Sequence, residues 1–241
     1  MVDGSLKPVF ENSRRHVELG AAWSRHVRTV LDIRDPSTMT EDNAARVQAD
    51  IAPLLPYRTH EPMILDLGSA CGEHALSLLK VESEVALRDH GVLHNGKWNA
   101  RVGEAGELLV HDLGLASMLS SMSGIALKGV HGATYIGYQN EGEFLDFHMD
   151  DLSFGESNFL LCLKAKSAAK ATSHTVFLAE SGFERVHARP GRVVLFDGAT
   201  TPHARSPLAE GEEIILISFG LDTSRPEVQD PASLMPPSRP E

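Results

Sequence analysis

The chain has 241 residues, 42% of them hydrophobic, and a formal charge of -11 at neutral pH. That is enough apolar material for one large domain or two small ones, and the acidic balance argues against the broad basic footprint of a nucleic-acid binder. No stretch reaches the ~18 apolar residues of a membrane helix, the N-terminus has no apolar run of signal-peptide length, and the two cysteines, Cys71 and Cys162, sit among apolar neighbours as buried free thiols do, so a soluble cytoplasmic protein is expected.

Residues 13–31 carry Val17, Ala21, Val27 and Leu31 at roughly helical spacing, with Ser13 available as an N-cap. A second helix is expected from Thr40, itself a cap residue, through Ala45, Val47 and Ile51, stopping before Pro53 or Pro56. The spacing then predicts a helix from Ser69 to His90 and more helix between Glu104 and Met122, interrupted near Asp112 and Gly114.

After Gly124 the texture changes to short strands cut by turn residues. These are ATYIGY, GEFLDFHMD, NFLLCLKAK, TVFLAE, ERVHA, RVVLFDG and EEIILISFGL. Many short strands in series argue for a sandwich or barrel rather than a parallel sheet with crossover helices. From Asp222 onward there are five prolines and no apolar periodicity, the composition of a surface-draped or disordered tail. The plan is α+β and single-domain over 1–221: a helical part, 1–124, packed on a β-rich part, 125–221, followed by a Pro-rich tail, 222–241.

Within the β-rich part, His148 and Asp150 are two apart, and alternate residues of a strand face the same side. A third ligand has to come from elsewhere in the fold, and His203, after RVVLFDGATTP, is the candidate. Two imidazoles and one carboxylate, with no thiolate, suit iron(II) with open positions better than structural zinc.

The surrounding residues add an ordered pattern. It begins with Tyr138, Gly142 and Phe144 ahead of His148 and Asp150. It continues through Arg189-Pro190-Gly191-Arg192-Val193-Val194-Leu195-Phe196 to His203, then Pro207, Leu208 and Gly211. In this order and spacing residues 135–221 resemble the iron(II)/2-oxoglutarate-dependent dioxygenase superfamily, most nearly its prolyl-hydroxylase-like branch. The resemblance implies a double-stranded β-helix (jelly-roll) core, iron(II) held by His148, Asp150 and His203, 2-oxoglutarate as co-substrate with Tyr138 donating to it, and dioxygen. It also implies hydroxylation of a small molecule, with succinate and carbon dioxide released.

One position departs from the family's pattern. The family normally places an arginine or lysine two residues after the glycine, to pair with the far carboxylate of 2-oxoglutarate; here the residue is Glu213. Like charges repel, so another cation has to serve. Lys164 and Lys166 share a face with Asn158 by parity, and Asn158 with Lys166 resembles the co-substrate pair of Jumonji-type members. Arg205, two past His203, should share its inward face and can grip a carboxylate bidentately. An inward Glu213 would receive an ammonium or guanidinium group of the substrate. Asp150 argues against a halogenase, where a small residue replaces the carboxylate.

Two alternatives stand beside this reading. Residues 63–72 resemble the first motif of S-adenosylmethionine-dependent methyltransferases, with Asp89 near the place of the acidic residue that should close a second strand. The other is a jelly-roll binding module without turnover. The expected partners are a small-molecule substrate and dioxygen, with no nucleic acid and no membrane.

Overall fold

The structure, a computed structural model, describes residues 40–52, 55, 58–151, 154–166 and 173–223. The expected helix at 13–31, and the tail beyond Thr223, lie outside the described residues.

Helix α1 spans Glu41–Ile51. Thr40 caps it, accepting a hydrogen bond from the Asn43 amide at 3.2 Å, and Glu41 and Asp42 complement the positive end of the helix dipole. Val47 and Ile51, one turn apart, are its buried residues. Helix α2, Gly68–His90, is broken near its start at Gly72, whose φ of 77° is non-helical. Helices α3, Glu104–His111, and α4, Leu115–Ser123, are separated by Gly114 in the left-handed region (φ 63°), a conformation that costs a side-chain-bearing residue energy. Among the described residues no helix is long and apolar enough to cross a membrane.

Eleven strands form two antiparallel sheets. They are β1 Met63–Asp66, β2 Val92–His94, β3 Lys97–Arg101, β4 Leu127–Tyr138, β5 Leu145–His148, β6 Ser157–Lys166, β7 Thr175–Ala179, β8 Gly182–Val186, β9 Arg192–Phe196, β10 His203–Arg205 and β11 Glu213–Thr223. The larger sheet has the order β1-β9-β6-β11-β4-β3-β2 and the smaller β5-β10-β7-β8. Asp222 and Thr223 thus belong to the last strand.

Burial follows the strand period of two. On one face of the large sheet Tyr135, Phe159, Leu161, Val193, Leu195, Ile215, Ile217 and Phe219 pack with Leu79 and Leu87 of α2, Leu109 of α3 and Leu119 of α4. The other face turns Val194 and Phe196 toward Phe177 and Val186 of the small sheet. Val176, Leu178 and Ala204 point the opposite way, onto Val47 and Ile51 of α1. The layers are therefore helices, large sheet, small sheet, helix. Each large apolar side chain removed from water in these layers stabilises the fold by about 1.5–3 kcal/mol.

Two expectations change. The part before residue 124 is not wholly helical: β1 forms one edge of the large sheet and β2–β3 the other. The signal for β2–β3 is Asn95-Gly96, the dipeptide that favours a two-residue hairpin turn. The methyltransferase reading also loses its basis. β1 pairs antiparallel with β9, every strand pair among the described residues is antiparallel, and Asp89 lies in α2 against Arg88. An alternating α/β sheet that cradles a nucleotide needs parallel strands.

Candidate metal centre

The cross-strand register of the small sheet builds the site. His203 of β10 stands directly opposite His148 of β5, which brings the two imidazole centroids to 4.1 Å. β5 ends at His148, and Asp150 is held beyond the ladder, its amide donating to the Gly198 carbonyl at 2.8 Å. Asp150 Oδ1 lies 3.5 Å from His148 Nε2 and Oδ2 lies 3.4 Å from His203 Nε2. One donor atom from each residue falls within 4.8 Å of the others.

The imidazoles are oriented for a metal. His148 Nδ1 donates to the Asp146 carbonyl at 2.9 Å, and His203 Nδ1 donates to the Thr201 carbonyl at 3.0 Å. Each bond fixes the tautomer and leaves the Nε2 lone pair turned to the shared space. Burial, reinforced by neighbouring His148, pushes the His203 pKa down to about 4, so its ring is neutral near pH 7. Burial opposes ionisation of Asp150, but His203, His148 and Lys97 outweigh it and hold the carboxyl well below the usual range. A neutral imidazole at His203 and an ionised carboxylate at Asp150 are protonation states that a divalent ion requires. Phe177 stacks at 5.9 Å and Phe196 stands edge-on at 4.7 Å to His203, an apolar wall on one side.

Asn158 of β6 reaches the same centre, its amide donating to Asp150 Oδ2. Its Oδ1 is buried with no hydrogen-bond partner among the described residues. Asn158 therefore touches the metal-side carboxylate directly.

Arg205, two residues past His203, points into the space between the sheets and is only 2% exposed. Its guanidinium donates to Thr175 Oγ1 at 3.1 Å and Ser173 Oγ at 2.9 Å, and lies 5.0 Å above the Tyr138 ring. Its Nε has no hydrogen-bond partner among the described residues, and the Glu212 carboxylate acts on the guanidinium electrostatically. A pocket adjoins it, lined in part by Leu160, Cys162, Thr175, Val194 and Leu216. Tyr138 is buried, and burial pushes its phenol pKa up, with Arg205 acting against the rise. It remains a protonated donor at neutral pH.

Lys166 and Glu213 are not brought to the triad. A bulge interrupts the β6–β11 register, Leu216 facing Cys162 while Ile215 faces Lys164, so Leu163 is the extra residue. One added residue reverses the parity read from Asn158. Past the bulge Ile214 and Ala165 face inward, whereas Lys164, Lys166 and Glu213 take the helix side. There Lys164 Nζ bridges Glu213 at 2.7 Å and Glu84 of α2 at 2.9 Å. Lys166 is exposed at the end of β6.

Sequence reasoning missed two residues of the site. A Cβ added at Gly198 would lie 2.8 Å from Asp150 Oδ2 and 2.6 Å from Asn158 Nδ2, so the absence of a side chain there makes room for the carboxylate. Lys97 of β3 is the second, acting electrostatically on both Asp150 and His203. The Asn95-Gly96 turn next to it is the one local signal that marks its position.

No protein-family model and no curated protein sequence matches this chain. Solved structures do. A Pseudomonas putida prolyl-4-hydroxylase superposes with a TM-score of 0.55 at 14% identity, over 70% of this chain and 95% of that one. The non-heme alpha-ketoglutarate-dependent epimerase SnoN from nogalamycin biosynthesis gives 0.54 at 13% identity, over 71% and 81%. HygX from Streptomyces hygroscopicus, with nickel, 2-oxoglutarate and hygromycin B bound, gives 0.51 at 12% identity, over 76% and 87%. At these identities the likeness is one of fold. The chain has the fold of prolyl hydroxylases and 2-oxoglutarate-iron(II) oxygenases, and carries a His-x-Asp…His triad at His148, Asp150 and His203.

Proposed function

We propose that this protein is an iron(II)- and 2-oxoglutarate-dependent oxygenase with a double-stranded β-helix core, acting on a small or amino-acid-like molecule. The observation that carries the reading is the cluster of His148 Nε2, His203 Nε2 and the Asp150 carboxylate, whose Oδ1 lies 3.5 Å from the first and whose Oδ2 lies 3.4 Å from the second. Donors on one face of an octahedral ion sit about this far apart, leaving the opposite face open. The donor set fits iron(II), and the fold neighbours include enzymes that bind a metal ion with 2-oxoglutarate.

His148, Asp150 and His203 would hold the metal. Bound there, iron(II) with 2-oxoglutarate supplies an oxidant strong enough for an unactivated C–H bond, with succinate and carbon dioxide as by-products. The chain's own residues position and protect. The Asp146 and Thr201 carbonyls hold the imidazole tautomers, and Asn158 holds the Asp150 carboxylate. Arg205, with the Ser173 and Thr175 hydroxyls, offers a buried receptor for the far carboxylate of the co-substrate, replacing the cation that the family places where Glu213 stands. Tyr138 presents a phenol donor on the facing sheet. Phe177 and Phe196 exclude water from one side of His203. Hydroxylation is the default outcome, although the fold also supports epimerisation in a neighbour.

Anaerobic titration with iron(II) and then 2-oxoglutarate should develop a weak visible charge-transfer band. His148→Ala and His203→Ala should each abolish metal binding and succinate formation. Arg205→Ala should leave metal binding intact and weaken 2-oxoglutarate at least about thirtyfold, the cost of removing a buried charge-assisted contact. Succinate release by either histidine variant would refute the ligand assignment, and an unchanged co-substrate affinity would remove Arg205 from its role.

A further inference from the structure

The β2–β3 hairpin carries a cation to the triad from the edge of the large sheet. Asn95 (φ 50°) and Gly96 (φ 72°) make its turn, and Lys97 follows at once. In the β3–β4 ladder Trp98 faces Gly137 and Asn99 faces Ile136. Lys97 therefore stands beside Tyr138, on the face that Ile136 and Tyr138 turn to the interior.

The hairpin is clamped where it carries Lys97. A Cβ on Gly96 would lie 2.3 Å from the Phe144 carbonyl oxygen, so the turn touches the backbone that leads into β5 and His148. From the opposite face Trp98 Nε1 donates to Glu143 Oε1 at 2.9 Å. Asn99 Nδ2 donates to the Lys97 carbonyl at 3.1 Å. A residue gripped on both sides holds its side chain near one place.

The Lys97 ammonium makes no hydrogen bond and no ion pair among the described residues. Burial lowers its pKa, and the Asp150 carboxylate acts the other way. A half-buried ammonium with no anion in contact is incompletely solvated, and a carboxylate placed against it recovers part of that loss. In a chain of net charge -11 an anionic ligand is drawn only by local positive charge of this kind.

We infer that Lys97 receives a carboxylate of the substrate beside the His148–Asp150–His203 centre, so that the enzyme selects small acids over their neutral analogues. This rests on the oxygenase reading, in which the metal and Arg205 take the two carboxylates of 2-oxoglutarate and leave Lys97 for a third.

The test uses matched acid and amide probes, N-acetylglycine with its amide and benzoate with benzamide. They are titrated by ligand-observed NMR into the full chain, metal-free and again saturated with manganese(II) and 2-oxoglutarate. The wild type should bind each acid about fivefold or more tighter than its amide. Lys97→Gln should bring that ratio to about one, Lys97→Arg should keep most of it, and Lys97→Gln should change 2-oxoglutarate affinity less than about threefold. An acid preference that survives Lys97→Gln, or is missing from the wild type, overturns the inference. So does a loss of 2-oxoglutarate affinity in Lys97→Gln as large as its loss of the acids, which would give the ammonium to the co-substrate. Failure of the wild type to bind manganese(II) and 2-oxoglutarate would sink the oxygenase reading instead, and the acid-amide difference between wild type and Lys97→Gln in the metal-free chain would still decide the role of Lys97.

Discussion

Around Asp150 every neighbour has a distinct task. Its amide is tied to the Gly198 carbonyl, one oxygen takes the Asn158 amide, and the two oxygens face the two imidazoles. Gly198 matters for what it lacks. A methyl group there would stand 2.6 Å from Asn158 Nδ2 and 2.8 Å from Asp150 Oδ2, closer than packed atoms tolerate. Gly198→Ala should therefore push the carboxylate off the metal axis. We expect at least a tenfold weaker metal affinity by titration, about 1.4 kcal/mol, with the thermal unfolding midpoint moved by only a few degrees. Metal affinity equal to wild type would show that the carboxylate has room that the packing denies.

Between elements, Glu82 makes a polar joint outside the site. From α2 its carboxylate accepts the Gly103 amide at 2.9 Å and the Ala105 amide at 2.8 Å, capping α3 from outside, and takes the Tyr135 hydroxyl of β4 at 2.6 Å. Burial alone would raise its pKa, but these donors hold it below the ordinary 4.5. A carboxyl depressed by folding contributes stability that is full above the unfolded pKa and is lost as pH falls through the lower folded value. Glu82→Gln should cost about 1–2 kcal/mol in urea unfolding at pH 7, since a part-exposed group gives less than a buried one. The gap between variant and wild type should close as pH falls below about 4.5. A gap that stays constant with pH would mean that the joint works by shape and not by charge.

Across the whole molecule, the segment before β1 ties the sheets together behind the metal centre. Arg58 donates to the Thr200 carbonyl at 2.9 Å and pairs with Glu61 at 2.7 Å. The Thr59 amide and hydroxyl reach Asp197 Oδ2 at 2.8 and 3.0 Å, and the Thr200 amide reaches Oδ1 at 3.1 Å. His60 Nε2 meets Ser157 Oγ at 2.8 Å. The loop so pinned, residues 197–202, is the one that offers the Gly198 and Thr201 carbonyls to Asp150 and His203. Asp197 is fully buried, so Asp197→Ala leaves several donors without an acceptor. It should lower stability by about 2–4 kcal/mol and weaken metal binding together with it. A shift under about 0.5 kcal/mol with normal metal affinity would confine the clamp to a decorative role.

Whatever depends on near neighbours was legible in the order of the residues. Alternation marked the strands from 133 to 221, Thr40 marked the start of α1, and His148 and Asp150 declared themselves by spacing while His203 took its place from the order of residues around it. Arg205 also follows locally, because two residues along the same strand return to the same face. The remainder depends on how distant segments pair in the folded molecule. Parity is a running count, and one extra residue at Leu163 reverses it along β6, turning Lys166 to the helix side, where the unbroken alternation of β11 puts Glu213 with Ile215 and Ile217. That bulge answers to the pairing of β6 with β11, which no window of β6 alone contains. Lys97 lies more than a hundred residues before His203, the histidine it influences, and Gly198 announces itself only through the space that Asp150 and Asn158 occupy. Local chain geometry repeats along the sequence; contact between distant segments is set by which faces must leave water together.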